Sequence, residues 1–142
     1  MKFENNWREK TLEILEREQW REPSFDSHLV KTCHALRKKP LREFDNEDLR
    51  IMIGQNESLN YLMPLAIDSL KQNILSAGNF YEGDLLERVL KSDNQYWQRE
   101  KDNWSIICDL FSRNEKLIMD SDLSDSLKKT LVESFSRFKK VN

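Results

Sequence analysis

Glycine, proline, cysteine and histidine are all scarce in this 142-residue chain, at three, three, two and two residues. Turns between strands depend on glycine and proline, so this little punctuation argues against a β-rich fold. With 34% charged residues and few β-branched runs, the chain reads as helical throughout. The expected fold is all-α, a single compact domain over residues 1–142 with about six to seven helices, the middle ones short. No apolar stretch approaches the roughly 18 residues of a membrane span, and Met1 to Lys10 is too charged for a secretory signal. A cytoplasmic location without membrane contact is expected.

The same scarcity limits the chemistry. Cys33 and Cys108 sit inside amphipathic patterns and are expected to be buried, reduced thiols. His28, Cys33 and His34 do not share the three- or four-residue spacing that aligns ligands on a helix, and no CxxC or HxxxH pair occurs, so no metal is expected. There is no GxxxxGK[ST], GxGxxG or GxSxG motif. No catalytic residue and no cofactor is assigned, and the chain is not expected to be an enzyme.

What the chain does have is concentrated in its middle. Gly54, Gly78 and Gly83 all fall between Leu41 and Asp93, a block with ten carboxylates against five bases. Its net charge is −5, against +2 before it and +1 after it. A loop with unusual backbone geometry beside clustered charge is a common place for recognition. DNA is an unsuitable partner for such a block, because affinity for phosphates comes from lysine and arginine. A helix-turn-helix reading of Asp45 to Leu70 also fails on Arg50, Asn60 and Pro64. No direct nucleic-acid contact is expected.

Local patterns place the elements. Leu12, Ile14 and Leu15 predict a helix over about residues 6–21, stopped near Pro23, with Ser24 capping the next. That second helix carries Leu29, Val30, Cys33 and Leu36, and its closing Arg37, Lys38 and Lys39 complement the helix dipole. Asp45 and Asp48 form a capping box, with Phe44 and Leu49 spaced as a hydrophobic staple, and Gly54 reads as a left-handed helix end. Pro64 predicts a break or kink after Asn60. Ser76 to Gly83 is the one long unpatterned connection, and Asp84 with Glu87 gives a second capping-box spacing. A long helix is expected from Asp93 or Asn94 through Trp97, Trp104, Cys108 and Phe111, then a last one through Leu127, Leu131, Phe135 and Phe138.

Three blocks in this middle region, 41–55 around Phe44-Asp45-Asn46-Glu47-Asp48-Leu49, then 61–66 around Pro64, then 80–86 from Phe80 to Leu86, resemble a family of small bacterial immunity proteins. These belong to contact-dependent growth inhibition systems, and the resemblance spans roughly residues 35 to 98. It implies a cytosolic protein that binds and neutralises the toxin domain delivered by a neighbouring cell. Many such toxins are nucleases with basic clefts, which an acidic helical surface would complement. The candidate toxin-binding residues are Glu47, Glu57, Phe80, Tyr81 and Glu82. The three glutamates have no local capping work, unlike Asp45, Asp48 and Asp84, and are freer to face a partner. For Phe80 and Tyr81, insertion into the core and contact with a partner both stay open. The competing reading is a helical adaptor or regulator with another protein partner.

Overall fold

The computed structural model describes residues 3–21 and 27–142. Among the described residues there are eight α-helices, two 3₁₀ turns and no strand: α1 (Leu12–Glu16), α2 (His28–Leu36), α3 (Asn46–Gly54), α4 (Leu59–Gln72), α5 (Asp84–Leu90), α6 (Asn94–Arg99), α7 (Lys101–Asp120) and α8 (Asp125–Lys139). The all-α expectation holds. The short helix α3 lies between α4 and α5, α5 also packs on α8, and α7 is bordered by α4, α6 and α8. Leucines of α3, α4 and α5 belong to the core, and aromatic side chains of α6, α7 and α8 pack on one another. There Phe111 stacks on Phe135 at 4.0 Å, and Trp97 meets the Phe138 ring edge-on at 4.9 Å. Each large side chain removed from water in this way contributes about 1.5–3 kcal/mol.

Several local signals act as read. Asp45 accepts the Asp48 N–H at 2.9 Å while the Asp48 carboxylate accepts the Asp45 N–H at 3.2 Å, so the capping box of α3 is complete. Asp93 caps α6 by accepting the Gln95 N–H, and α8 follows its apolar stripe.

Five expectations are corrected. The first helix is much shorter than 6–21, because Thr11 caps α1 and Arg17, at φ 54°, ends it. The chain leaves the helix there to wrap around Arg37, which donates to the Glu18 carbonyl and sits 4.5 Å above the Trp20 ring. The proposed stop at Pro23 and cap at Ser24 lie outside the described residues, and Ser27 caps α2. Gly54 is the last residue of α3 without left-handed geometry, which falls instead on Asn56 at φ 56°. Pro64 lies inside an unbroken α4. Its cost of about 3 kcal/mol is outweighed by burying Leu62, Met63, Ile67 and Leu70 on the same helix. The long helix expected after Asp93 is divided at Glu100, so that α6 and α7 each seat their own tryptophan. Trp97 donates to Ser92 Oγ on one side, and Trp104 donates to the Phe138 carbonyl on the other. The fifth concerns Asp84, whose work lies in the loop before it.

Candidate functional site

The connection from Asn73 to Gly83 starts inside the protein and ends outside it. Ile74, Leu75 and Ser76 are buried, and Ser76 Oγ donates to the carbonyls of Ser69 and Asn73. Beyond Ala77 the chain has no helical partner for its N–H groups, and two carboxylates supply one. Asp84 Oδ1 accepts the Gly78 N–H at 2.6 Å, and its Oδ2 accepts those of Phe80 and Tyr81 at 3.1 and 3.4 Å. This is why Asp84, only 2% exposed, is no N-cap. Gly83 stands at that position with φ 88°, a geometry glycine adopts without strain, and donates to the Leu75 carbonyl.

The second carboxylate is Glu47 on α3. Its Oε1 accepts the Asn79 N–H at 2.9 Å, and both of its oxygens accept from Arg50, at 2.6 Å each. Charge-assisted, two-pronged bonding of this kind is among the stronger polar contacts proteins make. The bond to Arg50 holds the Glu47 carboxyl below its usual range, helped by the Asn79 N–H and opposed by burial. Arg50 is 7% exposed, and its Nε also comes within 3.9 Å of Asp84. A Cβ on Gly78 would stand 2.5 Å from Glu47 Oε1 and 3.2 Å from Asp84 Oδ2, so glycine lets the loop close on these two carboxylates without moving them from the N–H groups they hold.

Phe80 is what the bracing presents. Its ring lies 4.0 Å from the Arg50 guanidinium, yet the residue is 67% exposed. Beside it opens a groove of about 360 Å³ whose walls include Leu29 on α2, Ile51 and Gly54 on α3, and Arg88 on α5. Leu29 is itself 41% exposed. An exposed aromatic on a loop fixed from beneath, next to an open groove, suits the grip of another macromolecule.

The candidate residues therefore divide. Glu47 and Phe80 meet at one site, with Tyr81 half-buried and Glu82 exposed just beyond. Glu47 is not free of structural work, which corrects the reason for choosing it. Glu57 lies elsewhere, near Arg37, Glu16 and Glu18, and burial pushes its carboxyl up. Arg50, Arg88 and Leu29 belong to the site and escaped the sequence reading. The spacing of Glu47 and Arg50, three residues apart on one helix, was the available signal for the first. Nothing local marks the other two.

All of these site residues fall within residues 14–107, the segment that matches the family of CDI immunity proteins, CDI being contact-dependent growth inhibition. The chain belongs to that family, whose role is immunity to a toxin and whose partner is therefore a toxin protein. No curated protein and no solved structure matches the chain. No helix among the described residues is long and apolar enough to cross a membrane.

Proposed function

We propose that the chain, acting as a single domain in the cytoplasm of the producing cell, binds the C-terminal toxin domain of its cognate effector, a nuclease. It blocks the toxin by occupancy, without catalysis or cofactor. The observation that carries this reading is Phe80, an aromatic residue left 67% exposed on a loop whose backbone is tied down by Asp84 and Glu47. Order before binding lowers the entropy lost on binding, and aromatic anchors concentrate interface energy. Tyr81 and the exposed Glu82 extend the same face.

The acidic surface enters this proposal in narrower form. Glu47, Asp48, Asp68, Asp84 and Glu87 each lie within 3.9 Å of a base, Arg50 being shared by Glu47 and Asp84, so four cations offset most of the charge on half of the ten carboxylates between Leu41 and Asp93. Glu82 and Glu57 are better placed to draw a basic toxin than Glu47, whose contribution is to hold the loop. Such attraction acts mainly on the association rate.

Co-expression with the toxin domain encoded immediately upstream tests the proposal. Growth should be restored and the two proteins should co-elute on size exclusion, whereas continued toxicity with no complex would sink it. Glu82→Lys should slow association at low salt and leave the melting temperature unchanged.

A further inference from the structure

The groove beside Phe80 is lined mostly by residues of the acidic block, yet its uncommitted charge is positive. Glu47 has both oxygens on Arg50 and one on the Asn79 N–H. Arg50 is taken up by Glu47, by Asp84 and by the Phe80 face. Arg88 differs from both. It is exposed, and among the described residues its guanidinium has no hydrogen-bond or ion-pair partner. Asp84, one turn before it, is spent on the loop, and Glu87 beside it pairs with Lys91 at 2.7 Å.

The exposed Arg88 side chain nonetheless lines the groove and lies over Gly54. A Cβ at Gly54 would stand 3.4 Å from its Cδ and 3.6 Å from its Nε. Leu29 and Ile51 line the same groove with apolar surface, and His28 there brings no negative charge. A groove of about 360 Å³ accepts a short segment and not a whole folded face, being near the lower end of ligand-sized pockets, roughly 300–1,000 Å³.

We infer that this groove receives a segment of the toxin that offers a carboxylate to Arg88 and an adjacent apolar side chain to Leu29, Ile51 and the Phe80 ring. This rests on the toxin-neutralising role proposed above and adds the local chemistry of contact. The negative block attracts the toxin from a distance, while the groove selects for an acidic, apolar-flanked segment at close range. A basic segment would meet Arg88 as a like charge, which is how such a site rejects wrong partners.

The test is calorimetric titration of the purified chain with the upstream-encoded toxin domain. Arg88→Glu should weaken binding by about 30-fold or more, the usual scale for losing one partner of a close interfacial charge pair, with an unchanged melting temperature. Arg88→Lys should retain most of the affinity. Leu29→Ser should weaken binding by about 10-fold. Reversing toxin carboxylates to lysine one at a time should yield one variant that restores affinity for Arg88→Glu. The groove assignment is overturned if Arg88→Glu binds within threefold of the wild type, or if no reversal restores it. Wild-type failure to bind the toxin would instead remove the immunity reading and the groove together. Arg113→Glu, on the exposed surface of α7, serves as the charge control.

Discussion

Two buried arginines organise two irregular segments of this protein, and they do so with the same parts. Arg37, 2% exposed, pairs with Glu16 and lies 4.5 Å over the Trp20 ring. Arg50, 7% exposed, pairs with Glu47 and lies 4.0 Å from the Phe80 ring. Each guanidinium thus combines a carboxylate with an aromatic face, a favourable arrangement where water is scarce. The rings differ in direction. Trp20 is half-buried and packs against the core, closing the strap from Arg17 to Trp20 over the bundle. Phe80 faces outward, 67% exposed. The same arginine-and-ring device makes one segment part of the interior and turns the other into a presented surface.

That contrast can be broken most forcefully at Arg37. Arg37→Ala removes a fully buried side chain and leaves Glu16, itself 26% exposed, without its cation, at a cost of about 3–4 kcal/mol. The midpoint of urea unfolding should fall accordingly, and an unchanged midpoint would show that the strap contributes nothing to stability. Asp84→Ala should cost less, about 2–3 kcal/mol, by stranding three loop N–H groups. Amide exchange at Gly78, Phe80 and Tyr81 should rise with it, and slow exchange there would mean the loop holds itself.

The rings give the next step down. Trp20→Ala should destabilise the fold by about 1–2 kcal/mol while Phe80→Ala changes it by less than about 0.5 kcal/mol. Toxin affinity should respond in the opposite order, with Phe80→Ala weakening binding by about 2 kcal/mol. Equal stability effects from the two would erase the distinction between strap and presented loop.

The smallest effect lies in Glu57, which titrates in the opposite sense to Glu47. Glu47 is held below its usual value of 4.5, so its stabilisation is present above that pH and is lost as pH falls further. Glu57 is raised above 4.5 by burial, so the folded chain holds that proton more tightly and stability drops as pH rises past 4.5 toward neutrality. Glu57→Gln should therefore raise the melting temperature slightly at pH 7, and Glu47→Gln should lower it. A fall with Glu57→Gln would mean that its charge is needed beside Arg37.

Local signals were legible where both partners lie within one turn of chain. The capping box of Asp45 and Asp48 and the apolar stripe of α8 could be read because the interacting residues are three or four apart. The interruption at Glu100 could not, since it depends on Trp104 reaching the carbonyl of Phe138, 34 residues later. The site shows the same division. Ser76 to Gly83 stood out as an unpatterned connection with two aromatics, which located Phe80. The bond from the Asn79 N–H to Glu47 spans 32 residues, and no spacing rule anticipates it. Arg88 and Leu29 looked like ordinary members of amphipathic helices, and only the packing of α2, α3 and α5 reveals that they border one groove.

The hydrogen bonds that hold the loop around Phe80 all go to its backbone, since Asp84 and Glu47 accept N–H groups that every residue except proline carries. Within it only Gly78, for space, and Gly83, for its φ of 88°, are restricted in kind. The letters at 79, 80, 81 and 82 can change, to anything but proline at 79–81, and keep the hydrogen bonds of the frame that displays them. A lineage facing a new toxin could rewrite that four-residue word while inheriting the scaffold intact.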